Sequence, residues 1–334
     1  MVMGEFTERT DVLVIGGGPG GYAAAFRAAD LGLETTLVEM EDRLGGVCLL
    51  RGCIPSKSLL YVAELLQDAR EAGEIGVSFE KPGIDLDRMR EWKNEVVDQL
   101  SGGLSKLCEK REVKRIRGRA KFEDSKTVRL LESDAEVSHI RFKHAVIATG
   151  SSPVPLPGTE FQEGGRIMSS AGALDLADIP DRLLVVGGGY VGAELGSVYA
   201  ALGSKVTLVE MTDRLMPQAD EELVDILSKS LSDVFEGIHY NTKVNELDES
   251  KDSVKVVFEG DIDEKEGTFD RVLVAVGRKP ESADLGLGKT GVETDDGGFI
   301  QVDDQRRTAD ENIFAIGDVV GGAMLAHKAM YEGK

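Results

Sequence analysis

The chain has 334 residues and a formal net charge of −21, with 60 acidic against 39 basic residues. This length favours two domains over one. The negative charge repels phosphate backbones and anionic lipids, so nucleic acids and membranes are excluded as expected partners. A cationic protein partner or a salt-rich environment would suit this charge, although a well-solvated surface is the simpler interpretation.

The sequence predicts a cytoplasmic protein. It contains no run approaching the ~20 apolar residues that a membrane span needs. Its first ten residues, MVMGEFTERT, carry mixed charge and lack the apolar core of a signal peptide. With only three cysteines, a disulfide would more typically be catalytic than part of a structural framework.

An internal repeat organises the chain. Residues 12–40, VLVIGGGPGGYAAAFRAADLGLETTLVEM, align without a gap with residues 183–211, LLVVGGGYVGAELGSVYAALGSKVTLVEM. Each repeat predicts a buried strand, a GxGxxG turn, an alanine-rich helix and a second strand ending in glutamate. This order is typical of the first βαβ unit of a dinucleotide-binding domain. The sequence therefore predicts an α/β fold that binds two dinucleotides.

Three glycines in each repeat have predicted roles. The first permits the tight turn, the second lets the backbone approach a pyrophosphate at the helix N-terminus, and the third lets the helix pack on the sheet. They are Gly16, Gly18 and Gly21 in the first repeat and Gly187, Gly189 and Gly192 in the second. Glu39 and Glu210 can accept hydrogen bonds from ribose hydroxyls. Because a carboxylate repels a 2′-phosphate, Glu210 favours NAD over NADP, although Arg214 lies nearby.

The rest of the chain predicts further helices and strands. Helices are predicted at residues 55–73, 85–111 and 219–231, and strands near residues 113–122, 127–131, 243–260, 268–280 and 312–318. Residues 144–158 predict a buried strand followed by a proline-rich connector, which marks a domain boundary.

The segment GGVCLLRGCIPSK, residues 45–57, contains Cys48 and Cys53. This pair could be a structural disulfide, part of a metal site or a redox dithiol. A zinc site would need two more ligands at short spacing, whereas Cys108 is remote and the four histidines form no cluster. A thiol near the N-terminus of the helix predicted to begin at Pro55 would have a lowered pKa. These points favour a redox dithiol and no metal.

The cysteine segment resembles the active-site segment of the pyridine nucleotide–disulphide oxidoreductases, and in particular that of the dihydrolipoamide dehydrogenases. Further segments resemble markers of that family in the same order: ATGSSPVPLPG, GGGYVGAELGSVYAALGSKVTLVE, VAVGRKP and NIFAIGDVVGGAMLAHKAMYEG. The resemblance spans essentially the whole chain. It implies two Rossmann-like domains, one binding FAD (residues 1–152 and 281–334) and one binding NAD (residues 153–280) inserted in the first.

The resemblance also implies roles for individual residues. Cys48 would be the interchange thiol that reacts with substrate, Cys53 the charge-transfer thiol facing the flavin, and Lys57 an ammonium near flavin N5. Glu194 would approach the nicotinamide and pair with Lys57. The other contacts implied are Gly16, Gly18, Gly21, Glu39, Ala120, Gly150, Asp318 (to the ribityl chain) and Ala326 for FAD, and Gly187, Gly189, Gly192, Glu210, Val244, Gly277 and Arg278 (along the bound cofactor) for NAD.

The activity that the resemblance implies is oxidation of dihydrolipoamide to lipoamide with reduction of NAD⁺ to NADH. The implied partners are a lipoyl domain, a 2-oxo acid dehydrogenase or glycine cleavage complex, and a second copy of the chain in a homodimer. Family members continue past the equivalent of Lys334 into a dimerisation domain, which this sequence is expected to lack. The alternatives are a glutathione- or mercuric-reductase-like enzyme, and an FAD- and NAD-binding fragment without lipoamide activity.

Overall fold

In the computed structural model, which describes residues 7–80, 82–133 and 135–334, each repeat forms a strand–helix–strand unit of its own sheet. The helices are α1 (Pro19–Asp30), α2 (Gly46–Arg51), α3 (Cys53–Glu71), α4 (Leu86–Lys110), α5 (Ser170–Leu174), α6 (Tyr190–Leu202), α7 (Glu221–Val234) and α8 (Ala326–Glu332). The strands are β1 (Thr7–Ile15), β2 (Thr35–Glu39), β3 (Lys114–Arg117), β4 (Arg119–Asp124), β5 (Thr127–Leu131), β6 (His139–Ile147), β7 (Ser151–Pro153), β8 (Ile167–Met168), β9 (Arg182–Val186), β10 (Lys205–Val209), β11 (Gly237–His239), β12 (Thr242–Glu249), β13 (Val254–Gly260), β14 (Glu266–Phe269), β15 (Arg271–Val274), β16 (Arg278–Pro280) and β17 (Ile313–Ala315).

The chain divides into two units. The first contains residues up to 50, 97–152 and 278–334, and the second contains residues 51–96 and 153–277. Each unit therefore combines segments that are far apart in the sequence, and each contains one of the two repeats.

The sheet of the first unit has the strand order β3-β2-β1-β6-β5-β4, with β17 also beside β6. Strands β3, β2, β1, β6 and β17 are parallel, whereas β5 pairs with β4 and β6 in antiparallel fashion. The end of β1, residues 12–15, is buried on both faces, as expected for a parallel strand covered on two sides. Helix α1 packs close to this sheet through Ala24, Ala25 and Ala28.

The second unit contains a parallel sheet in the order β11-β10-β9-β15-β8 and a separate antiparallel sheet of β12, β13 and β14. Helix α3 packs against α6 in this unit, and its buried Leu59 and Leu66 join the same core as Leu195 and Tyr199 of α6. This packing decides which side chains of α3 and α6 meet at the site described below.

The prediction of an α/β fold with two Rossmann-like units is confirmed. Three local predictions need correction. The helix predicted to open at Pro55 begins at Cys53, the short helix α2 was not predicted, and the strand predicted over residues 312–318 ends at Ala315 and is followed by a 3₁₀ turn at Gly317–Val320. Among the helices that the described ranges contain, none is long and apolar enough to cross a membrane.

Candidate active site

The glycine-rich turn of the first repeat leaves no room for side chains. Gly16 has φ 106°, and a Cβ added there would lie 2.3 Å from the carbonyl oxygen of Ala148. A Cβ on Gly21 would lie 1.7 Å from the oxygen of Gly16, and one on Gly46 would lie 2.5 Å from Cα of Gly18. The turn therefore presents bare backbone at the N-terminus of α1, which fits a pyrophosphate.

The turn of the second repeat has the same backbone but a more open surface. Gly187 also has φ 106°, and its added Cβ would lie 2.5 Å from the Ala275 oxygen. A Cβ on Gly192 would lie 2.1 Å from the oxygen of Gly187. At Gly189, by contrast, an added Cβ would meet no atom of the described residues within 4 Å. The space over Gly189 is thus available to a ligand.

A glutamate closes each repeat in the same way, and Glu39 is buried whereas Glu210 is partly exposed. Glu39 Oε2 accepts a hydrogen bond from the Gly17 amide over 2.6 Å, and its Oε1 accepts one from the Glu41 amide over 2.9 Å. Glu210 Oε2 accepts from the Gly188 amide over 2.6 Å, and its Oε1 accepts from the amide of Thr212 over 2.8 Å. Both carboxylates are therefore fixed at the ends of their strands, as a ribose-binding group must be.

The middle glycine of each GGG run, Gly17 or Gly188, was not assigned a role from the sequence. A Cβ on Gly17 would lie 2.6 Å from Cδ2 of Leu44 and 2.9 Å from Oε2 of Glu39. A Cβ on Gly188 would lie 2.5 Å from Cδ2 of Leu215 and 3.1 Å from Oε2 of Glu210. The signal was a glycine at the second position of the GxGxxG pattern in both repeats, where the pattern accepts any residue.

Cys48 and Cys53 are joined by a disulfide. Cys48 lies in α2, and Cys53 is the first residue of α3, closer to the positive end of the helix dipole than the sequence predicted. The start of the cysteine segment is tied to the first repeat, because the Gly45 amide donates to the Gly17 oxygen over 2.9 Å. The third cysteine, Cys108, is free and buried, and burial raises the pKa of its thiol.

Lys57 and Glu194, which the family resemblance implies are partners, lie together where α3 packs on α6. Lys57 Nζ is 2.5 Å from Glu194 Oε1. The Ser56 hydroxyl lies 3.2 Å from Glu194 Oε2 and 3.1 Å from the carbonyl oxygen of Cys53, and its single proton can go to one of them at a time. No sequence pattern indicates Ser56 beyond its place next to Lys57.

Asp318 lies in the 3₁₀ turn after β17, in the first unit. The Ser151 hydroxyl donates to Asp318 Oδ2 over 2.5 Å, and Arg278 Nε donates to the same hydroxyl over 2.7 Å. Lys328 Nζ donates to the Gly321 oxygen over 2.7 Å, and the Gly317 amide donates to Glu332 Oε2, also over 2.7 Å. Arg278, expected along bound NAD, therefore has its side chain against Ser151 and Asp318.

The remaining predicted contacts are placed as follows. Ala120 is buried in β4, Gly150 has φ 77° in the turn before β7, and Ala326 is the first residue of α8. Val244 lies beside a bulge in β12, where it lines a cavity of about 240 Å³, and Gly277 has φ 143° before β16.

Comparison with known proteins gives a consistent result. The family profile described as pyridine nucleotide-disulphide oxidoreductase matches residues 10–333. The chain is 46% identical over 325 residues to a dihydrolipoyl dehydrogenase from Haemophilus influenzae, covering 97% of this chain and 68% of that protein. It is 43% identical over 334 residues to a dihydrolipoyl dehydrogenase from Geobacillus stearothermophilus, covering 100% of this chain and 70% of that protein.

A solved structure with a similar fold is the Cu(II) complex of the HOCl-induced flavoprotein disulfide reductase RclA from Escherichia coli. It superposes with a TM-score of 0.83 at 27% identity, covering 98% of this chain and 69% of that one. The duplicated glycine-rich turns, the disulfide that follows the first of them and these similarities lead to one assignment. The chain belongs to the pyridine nucleotide–disulphide oxidoreductase family.

Proposed function

We propose that this chain is a flavin-dependent dithiol oxidoreductase that oxidises dihydrolipoamide to lipoamide and reduces NAD⁺. The observation that carries the proposal is the Cys48–Cys53 disulfide, formed between two successive helices directly after a dinucleotide-binding unit. The choice of substrate is supported by relatives that are 43–46% identical and are named dihydrolipoyl dehydrogenase.

The disulfide accounts for the first half of the reaction. A thiolate of dihydrolipoamide attacks Sγ of Cys48, forms a mixed disulfide and displaces Cys53 as a thiolate. The second substrate thiolate then attacks the substrate sulfur of that mixed disulfide, closes the lipoamide ring and releases Cys48 as a thiolate. Two electrons pass from substrate to the cysteine pair. The N-terminus of α3 favours the thiolate of Cys53, which makes it a good leaving group.

We assign FAD to the first unit and NAD to the second. When bound, FAD supplies a carrier that takes two electrons from a dithiol and gives them up to NAD⁺. Within the first unit, the turn at Gly16–Gly21 would hold the pyrophosphate, Glu39 the adenosine ribose and Asp318 the ribityl chain, with Ala120, Gly150 and Ala326 as further contacts. Lys57, held by Glu194, would provide the positive charge beside the flavin.

The second unit is proposed to bind NAD through the turn at Gly187–Gly192, with Val244, Gly277 and Glu210. The Arg214 guanidinium donates to the Pro217 oxygen over 2.7 Å and lies 3.9 Å from Glu221. These contacts hold the Arg214 guanidinium, so we do not assign it to a 2′-phosphate of NADP. Glu210 then favours a cofactor with a free 2′-hydroxyl. This preference also argues against an NADPH-dependent glutathione- or mercuric-type reductase.

The partners remain part of the proposal. A lipoyl domain would bring the substrate dithiol to Cys48, within a 2-oxo acid dehydrogenase or glycine cleavage complex in the cytoplasm. A homodimer is also proposed, as the family resemblance implies. The chain spans 68–70% of the length of the relatives that it matches.

The cysteine assignment can be tested on the FAD-loaded chain by single-turnover exchange. Incubation with one equivalent of dihydrolipoamide should form one lipoamide per chain and leave two electrons on the protein, as two new thiols or as reduced flavin. Cys48→Ser and Cys53→Ser should form none, whereas Cys108→Ser, which removes the buried free thiol, should behave like the wild type. Lipoamide formation by Cys48→Ser would rule out the proposed exchange. NADH oxidation with a dye as acceptor is measured in parallel, because it should persist in all three variants.

A further inference from the structure

Arg278, Ser151 and Asp318 form a hydrogen-bonded chain within the first unit. Arg278 Nε donates to Ser151 Oγ over 2.7 Å, and Ser151 Oγ lies 2.5 Å from Asp318 Oδ2. Arg278 Nη2 also donates to the carbonyl oxygen of Ser151 over 2.5 Å. Ser151 is only 4% exposed, and the side chains of Arg278 and Asp318 are 16% and 22% exposed. The chain of contacts is thus largely shielded from water.

The number of protons fixes the direction of these hydrogen bonds. A guanidinium has donors and no acceptor, so Ser151 Oγ must accept from Arg278. The single hydroxyl proton of Ser151 then points to the carboxylate of Asp318. Turning the Ser151 side chain away from Asp318 would move Oγ and break the hydrogen bond from Arg278 as well. The hydrogen bond from Ser151 goes to Oδ2 and leaves Oδ1 of Asp318 for another donor.

The backbone around Ser151 is held by the same segment that carries Arg278. The Glu281 amide donates to the Gly150 oxygen over 3.0 Å, and the Thr149 hydroxyl donates to the Glu281 oxygen over 2.6 Å. Gly150 has φ 77°, a conformation that needs glycine, so the turn at 149–151 is closely defined. Residues 278–281 therefore fix both the side chain and the main chain of the turn that donates to Asp318.

We propose that Arg278 is a positioning residue for the flavin site, acting through Ser151 to hold Asp318 ready for a hydroxyl of the FAD ribityl chain. This inference rests on the proposed function, because it takes Asp318 as a ligand of FAD. It replaces the sequence-based expectation that Arg278 lies along NAD. Arginine suits this role because its planar fork reaches Oγ and the carbonyl of one serine together, which a lysine cannot do.

The test is FAD binding to the apoprotein, followed by flavin fluorescence. Ser151→Ala and Arg278→Met should each weaken FAD binding about tenfold, the usual scale for a hydrogen bond to a charged group. Ser151→Thr keeps the hydroxyl and should bind FAD within about twofold of wild type. The matched control is Arg271→Met, which removes an equally shielded arginine paired with Asp178 in the second unit and should leave FAD affinity unchanged.

A double variant separates positioning from general destabilisation. Adding Arg278→Met to Asp318→Ala should weaken FAD binding less than about twofold further, because Asp318→Ala has already removed the acceptor on which Arg278 acts. A full tenfold further loss would overturn the inference, as would wild-type FAD affinity in both Ser151→Ala and Arg278→Met. If Arg278→Met weakened only NAD binding, the sequence-based expectation would replace ours. Failure of the wild-type chain to bind FAD would instead overturn the proposed function itself.

Discussion

Gly188 and Gly189 are neighbours in the second glycine-rich turn, yet alanine should change a different property at each. Gly188→Ala should lower stability, and Gly189→Ala should weaken NAD⁺ binding. At Gly188 a methyl group would lie 2.5 Å from Cδ2 of Leu215, which is fully buried, and 3.1 Å from a carboxylate oxygen of Glu210. Overpacking of this kind costs about 1–3 kcal/mol. For a domain of this size, that lowers the melting temperature by about 2–12 °C.

At Gly189 the same methyl group meets no atom of the described chain within 4 Å. The residue is the N-cap of α6 with φ −74°, a conformation that alanine adopts readily. The loss of about 0.5–1 kcal/mol for alanine at an N-cap is offset by the lower entropy of the unfolded chain. Stability without ligand should therefore stay within about 0.5 kcal/mol of wild type, while the methyl group occupies the space proposed for the NAD pyrophosphate.

The assay combines thermal unfolding without NAD and calorimetric titration with NAD⁺, both on FAD-loaded protein. Gly188→Ala should lower the melting temperature, and Gly189→Ala should leave it unchanged and weaken NAD⁺ binding about tenfold or more, equal to about 1.4 kcal/mol. The FAD content of both variants serves as the control, because the substitutions lie outside the first repeat. Equal melting temperatures for the two variants, or normal NAD⁺ affinity in Gly189→Ala, would refute the reasoning.

Three further predictions concern the cores and a buried acid. Gly17→Ala should repeat the stability loss in the first repeat, because its methyl group would lie 2.6 Å from buried Leu44, and unfolding of the apoprotein would measure it. Tyr199→Phe should cost about 1 kcal/mol, since the buried Tyr199 hydroxyl donates to the Ala173 oxygen over 2.8 Å. Burial raises the pKa of Asp310, but hydrogen bonds from Ser125 and two backbone amides outweigh it, so the net pKa is lowered. The stability from Asp310 is therefore present above its unfolded pKa and is lost as pH falls through its lower folded pKa. Acid unfolding should show a smaller loss of stability with falling pH in Asp310→Asn than in the wild type.

The sequence predicted those parts of the fold that repeat locally. Continuous apolar runs and glycine spacing predicted both βαβ units and placed Glu39 and Glu210 at the ends of their strands. Helix starts were predicted less well, because a glycine-bounded helix of six residues such as α2 carries no periodic pattern.

Side-chain contacts between distant segments could be anticipated only where a known pattern linked them. Lys57 and Glu194 are 137 residues apart, and the resemblance to the family supplied the pairing. Arg278 and Ser151 are 127 residues apart, and no local pattern indicates that the guanidinium turns toward the serine. Such a contact depends on how strands β7 and β16 pair, which propensity and periodicity do not specify.

The two glycine-rich turns have almost the same backbone but differ in what covers them. Over the first turn, Gly46 of the cysteine segment lies so close to Gly18 that a methyl group on Gly46 would come within 2.5 Å of its Cα. Over the second, the space above Gly189 is open. A covered turn suits a dinucleotide that stays bound, and an open one suits a dinucleotide that must leave after each turnover. The segment that covers the first turn also carries Cys48, and its Gly45 amide donates to the Gly17 oxygen, so this cysteine and the covered glycine-rich turn belong to one local structure.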